Sequence, residues 1–170
     1  MGQVTNVKIG ACSVKFGAVD LGHTKGGVTV SYKPEYADIV VDQYGNTPVD
    51  KSLVGEMLTV KVPLAESQVA NIAKAIPLST LAGATEGRAT VGQEAGVRLS
   101  SKSAQLVLHP LVNGASLADD VVIHKAVVHG ELEIGYNNED ERILEIEFVA
   151  LVDTTKSAGN LLGHLGDSTN

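Results

Sequence analysis

Residues 21–64 read LGHTKGGVTVSYKPEYADIVVDQYGNTPVDKSLVGEMLTVKVPL. Runs of alternating apolar and polar residues are separated here by turn formers, which is the pattern of half-buried strands. Lys25-Gly26-Gly27 is a turn signal. Val28, Val30 and Tyr32 then alternate with Thr29, Ser31 and Lys33. Pro34-Glu35 interrupts the run, either as a hairpin turn or as a bend. Ala37, Ile39 and Val41 alternate with Asp38, Val40 and Asp42, which puts Asp38 and Asp42 on one strand face. Residues 43–55 are expected to form a loop, with Tyr44, Gly45, Asn46, Thr47, Pro48 and Val49 at its centre. That length exceeds what a hairpin needs and points to a contact role. Leu58, Val60 and Val62, opposite Thr59 and Lys61, make the next strand.

Outward from this stretch the same grammar continues. Residues 6–16 read as a strand, with Cys12, Val14 and Phe16 at alternate apolar positions. Pro63 is expected to open the one helix, which runs to about Ile76 and stops at Pro77. Val69, Ile72, Ala73 and Ile76 give that helix an apolar stripe to lay on a sheet. Residues 83–96 read as a Gly-rich connection, and the segment 92–96 lacks the Gly-Lys-Ser/Thr of a phosphate loop. Short strands are expected at 97–100 and 104–109, a loop at 113–120, and final strands at 121–129, 131–136 and 142–153. Asn137, Asn138, Glu139 and Asp140 form a turn between the last two. Glu131 and Glu133 share one strand face, and so do Glu145 and Glu147, so these strands show an acidic outer side. The reading is an all-β domain over 1–153 with one flanking helix, followed by a small, polar C-terminal arm over 154–170.

Composition narrows the function classes. The chain of 170 residues fits one domain, and with aromatics at 4% and no Trp its core must be aliphatic. A formal charge of −7 repels phosphate and argues against ordinary nucleic-acid binding. Cys12 is the only cysteine, so no intrachain disulfide forms, and it reads as a small core residue. The first residues, MGQVTN, carry neither a basic nor an apolar signal region, so neither secretion nor membrane insertion is expected. His124 and His129 are five apart on a strand and point to opposite faces. The other three histidines sit in or beside turns, so no metal site is expected. The carboxylate pairs Asp38/Asp42 and Glu145/Glu147 could imitate catalytic pairs, but even spacing on a strand is equally a solvated acidic face. No enzyme activity and no cofactor are expected.

Three segments carry a family resemblance. Residues 21–32 (LGHTKGGVTVSY), 42–50 (DQYGNTPVD) and 58–66 (LTVKVPLAE) are similar to segments of the major tail-tube proteins of long-tailed, siphovirus-like bacteriophages. The late strand pair with its NNED turn and the terminal LGD at 165–167 resemble them too. The resemblance implies a β-sandwich or barrel of the phage tail-tube and type VI secretion tube type. It implies rings of six copies stacked into a hollow virion tube, made in the bacterial cytoplasm and conducting DNA during ejection. Partners on this reading are the chain itself, tail-tip, tape-measure and terminator proteins, and genomic DNA in transit without sequence-specific binding. Asp38, Asp42, Glu131, Glu133, Glu145 and Glu147 become candidates for the lumen wall, with the choice among them open. Residues 44–49 and the C-terminal arm become candidates for ring-to-ring contact. The competing reading is a monomeric β-barrel module that binds a small ligand in an apolar pocket.

Overall fold

The computed structural model describes residues 9–66, 68–82, 87–112, 115–134 and 142–167. It is mostly β, with one short helix. Its strands are β1 (Cys12–Phe16), β2 (Val19–Asp20), β3 (Thr29–Val40), β4 (Pro48–Leu64), β5 (Thr80–Ala82), β6 (Arg88–Thr90), β7 (Ala104–Pro110), β8 (Val121–Val128), β9 (Leu144–Ala150) and β10 (Gly163–Leu165). The helix α1 spans Val69–Ala75. One antiparallel sheet runs in the order β2-β1-β7-β8-β9-β4-β3, with β10 added on β8, and β5 pairs with β6 separately.

Alternation puts one face of β1, β7, β9 and the β9-paired part of β4 inside, whereas β8 is buried on both faces, at Val122, Ile123, Ala126 and Val127. Val14 and Phe16 of β1, Leu106 and Leu108 of β7, Ile123 and Ala126 of β8, Leu144, Ile146 and Phe148 of β9, and Val60, Val62 and Leu64 of β4 form one buried cluster. The Phe16 and Phe148 rings meet at 5.0 Å between centroids. Their strands are three places apart in the sheet, which in a flat sheet would be about 14 Å. The sheet is therefore rolled, so that its inner faces share one core. Cutting Phe148 to Ala should cost about 3–5 kcal/mol, read as a lower midpoint in urea unfolding.

Several expected elements take a different form. Pro34 neither turns nor breaks the strand: β3 continues through it with Pro34 opposite Glu56, and the register shifts just beyond, between Glu35 and Tyr36. β3 is the outermost strand, where a residue without an N–H is tolerated. The expected loop 43–55 is mostly strand, because β4 begins at Pro48 and pairs with β3 from there, with bulges at Val49 and Val54. Only 41–47 turns the chain, through a 3-10 turn at Asp42–Tyr44 and Gly45 at φ 61. The expected helix from Pro63 is shorter at its start. Pro63 belongs to β4 opposite Glu145, and the Ala65 N–H donates to His23 O at 2.9 Å, so this backbone is already committed to extended pairing. In α1 Asn71 is buried while Val69 is exposed, and the Asn71 amide donates to Leu21 O and Glu66 O, both at 3.3 Å. Ile72 packs against the core as expected.

The strand expected at 97–100 is instead extended chain leading into a 3-10 turn, Leu99–Lys102. Ser101 and Ser103 hydroxyls donate to Arg98 O and Ser100 O at 2.8 Å, local bonds that compete with a ladder. Residues 131–134 are not in a strand, and the expected turn at 137–140 lies outside the described residues. β6 falls inside the connection expected at 83–96, where it pairs with β5 just before that segment.

The C-terminal arm is folded back on its own chain. β10 pairs with Val121–Ile123, and Gly163 is required there: a Cβ would sit 2.2 Å from Val122 O. Asp153 anchors the approach to β10. The Lys125 ammonium 3.0 Å away and the Thr155 hydroxyl and N–H hold its carboxyl down to about 2. A carboxyl lowered in the folded state stabilises fully above its ordinary value near 3.8, and that contribution is lost as pH falls towards about 2. Asp153→Asn should therefore lower the melting temperature at pH 7 and leave it nearly unchanged below pH about 2, where wild type has lost the same interaction.

Candidate assembly surfaces

β9 pairs with β4 only from Thr59 to Leu64. Beyond that point β4 has β3 as its single neighbour, so the two strands leave the sheet as a two-stranded ribbon. Every residue from 35 to 54 is exposed. The ribbon is nonetheless apolar on much of its length: Tyr36, Val40, Tyr44, Leu53 and Val54 are 60%, 52%, 67%, 51% and 68% exposed. Its internal ties are few. Lys51 Nζ donates to Asp38 Oδ1 at 2.7 Å, and Tyr32 donates to Glu56 Oε1 at 2.5 Å. The acceptor carboxylate of Glu56 favours the protonated phenol and raises the Tyr32 pKa. An isolated two-stranded ribbon is marginal in water. A long apolar edge strand is also a template for pairing with another chain.

The six candidate lumen carboxylates divide into two groups. Glu131, Glu133, Glu145 and Glu147 line one concavity of about 600 Å³ together with Lys61 and Ile143. Glu145 and Glu147 share the outer face of β9, as their spacing requires, and Lys61 on β4 reaches both carboxylates at 3.7 and 3.8 Å. Four carboxylates thus face one ammonium. Asp38 and Asp42 lie elsewhere, out on the ribbon. They do not form a strand-face pair, because Asp42 falls in the 3-10 turn and Asp38 is tied to Lys51.

Residues 44–49 sit at the ribbon tip. Tyr44 N–H donates to Val41 O at 3.0 Å and Thr47 N–H to Tyr44 O at 3.3 Å, so the tip is held by its own backbone and its side chains point to solvent. Two apolar clefts were not legible in the sequence, because each draws lining residues from widely separated segments. One, of about 530 Å³, opens between the ribbon base (Val30, Tyr32, Glu56, Leu58) and the C-terminal arm (Leu161 to Leu165). The other, of about 320 Å³, lies between α1, the Leu99–Lys102 turn and the Phe16 end of β1. The sequence does hint at the first: Leu161, Leu162 and Leu165 are the apolar residues of an otherwise polar tail.

Other chemistry is sparse. Cys12 is half-buried against the core, and burial pushes its thiol pKa up, away from a reactive thiolate. His109 Nδ1 lies 2.6 Å from the buried Asp120 carboxylate, a tie between β7 and the turn before β8. Both ring nitrogens of His164 are buried without a partner, with the His124 ring 5.3 Å away. Among the described residues no group of three or more His, Cys, Asp or Glu side chains is placed to hold a metal. No helix among them is long and apolar enough to cross a membrane. The chain matches no known family model and no curated protein.

Proposed function

We propose that this chain is a structural subunit that polymerises with copies of itself into a hollow tube, as the resemblance to siphophage tail-tube proteins implies. The observation that carries this reading is the ribbon. A monomer has no evident reason to expose Tyr36, Val40, Tyr44, Leu53 and Val54 on a two-stranded extension. Covering that surface with a second copy removes both the apolar exposure and the open edge of β3. Contacts between unlike surfaces of identical chains are heterologous, and they close into rings or continue as filaments according to the rotation between copies.

The acidic concavity suits a wall past which DNA slides. Four carboxylates against one lysine repel phosphate, and a ring repeats that field. On this reading the protein is neither an enzyme nor a cofactor carrier, its site of action is the virion, and its further partners are the proteins that start, measure and end the tube. Negative-stain electron microscopy of concentrated protein is the direct test. Rings or hollow tubes are the expected image, and a monodisperse monomer at every concentration would refute the reading.

The 530 Å³ apolar cleft favours a second reading, a monomeric module for a small apolar ligand. Under it the protein stays monomeric when concentrated and retains an apolar guest through purification, which native mass spectrometry reads directly.

A further inference from the structure

We propose that the groove beneath α1 is the socket for the ribbon tip of a neighbouring copy. This rests on the self-assembly reading and names the surface that the ribbon meets. The groove is apolar at its floor, with Phe16, Val127 and Val128, and carries Lys74 and Lys102 on its lining. Lys74 Nζ stands 5.9 Å from the Phe16 ring centroid. No ion pair joins either lysine to a carboxylate among the described residues. Apolar floor and two cations together call for an apolar, acidic guest.

The ribbon tip has that chemistry. Val41, Tyr44 and Val49 are 37%, 67% and 48% exposed. Asp42 and Asp50 flank them, and residues 40–50 contain no cation. A groove of about 320 Å³ has room for a tyrosine ring and its neighbours. Two other concavities carry carboxylates that repel the same guest. Glu56 lines the cleft beside β10, and four glutamates line the acidic concavity. The strained backbone of Leu78, at φ 60 beside the groove, fits a clamp whose shape is held by its surroundings. Tip and socket are different surfaces, so the contact is heterologous and propagates from copy to copy.

Because Cys12 is the only cysteine, disulfide trapping reads the contact directly. In a Cys12→Ala background, Tyr44→Cys protein is mixed with Lys102→Cys protein, concentrated and oxidised. The expected product is a covalent heterodimer, absent when Lys102→Cys is replaced by Glu145→Cys. Charge reversal gives the second arm. Lys74→Glu with Lys102→Glu should cut polymer yield by at least about tenfold, and adding Asp42→Lys with Asp50→Lys should restore it. Melting curves confirm that each variant is folded. Tubes that form normally with the reversed socket, while deletion of residues 44–49 abolishes them, overturn the socket and leave the assembly reading standing. Tubes that survive that deletion overturn the socket together with the ribbon's role in assembly. Saturable binding of dodecanoate in the groove of dilute protein, with no heterodimer on oxidation, would overturn the proposal in favour of a site for amphiphilic acids.

Discussion

Deleting Tyr44 to Val49 is expected to yield a folded protomer that does not form the proposed tubes; this is the largest effect we expect from any change away from the core. The deletion joins Gln43 to Asp50 at the exposed end of the ribbon. Ile39 and Asp50 are already opposite each other, so Val40 to Gln43 becomes a short hairpin loop and the register behind it is kept. The core cluster contains no ribbon-tip residue, so the melting temperature should stay within a few degrees of wild type. Assembly loses far more. Tyr44 and Val49 leave together with the turn that presents them, and every contact of this type in the polymer loses the same side chains. Loop deletions that spare the scaffold remove function without unfolding it. Sedimentation velocity at high concentration reads the result: fast-sedimenting polymer for wild type, protomer for the deletion. Polymer of wild-type length from the deleted chain would show that the tip takes no part.

Reversing Glu145 and Glu147 to lysine is expected to leave assembly intact and to slow DNA passage. Both side chains lie on the outer face of β9, 65% and 34% exposed, so each change, with its loss of an exposed contact to Lys61, should cost folding no more than about 1 kcal/mol. The field changes much more. Each Glu→Lys change shifts two charge units, so the pair shifts about 24 units around a ring of about six copies. Lys61 already stands beside both positions, and with two new lysines the concavity becomes cationic at that end. In the proposed tube, phosphates would then stick to this wall, with the affinity falling steeply as salt rises. Phage carrying such tubes should have tails of normal length, eject DNA slowly at low salt and recover at high salt. Unchanged ejection at low salt would mean that this concavity does not face the DNA. The reversal of Asp38 or Asp42 should act on assembly instead, because both lie on the ribbon, away from the glutamate cluster.

Much of the architecture was legible locally. Alternation in residues 12–16, 58–62 and 144–148 places strands where they are found, because a period of two admits one buried face, whereas 121–128 is an apolar run interrupted only by His124-Lys125 and is buried at Val122, Ile123, Ala126 and Val127. The outer face of Glu145 and Glu147 followed from the same rule. Misreadings fell where local and long-range pairing compete. Residues 48–55 carry turn formers and a glycine, yet they are strand, because β3 supplies a pairing partner along the stretch, with bulges at Val49 and Val54. Pro63 has the look of a helix start, yet it closes a strand, because β9 on one side and the segment before β3 on the other already hold that stretch.

By itself, then, the sequence determined the all-β class, the largely aliphatic core and the acidic outer face that carries Glu145 and Glu147. These properties are carried by residue type and period, which are local. Only the tertiary structure decided which acidic faces meet. It gathered Glu131, Glu133, Glu145 and Glu147 around Lys61 and left Asp38 and Asp42 on the ribbon. It alone showed that β4 outruns β9 and so projects an apolar ribbon, and that α1 and a distant turn enclose a lysine-lined groove. Those features depend on which strands become neighbours and where their pairing ends, and alternation along one strand carries no information about the length of the next strand in the sheet.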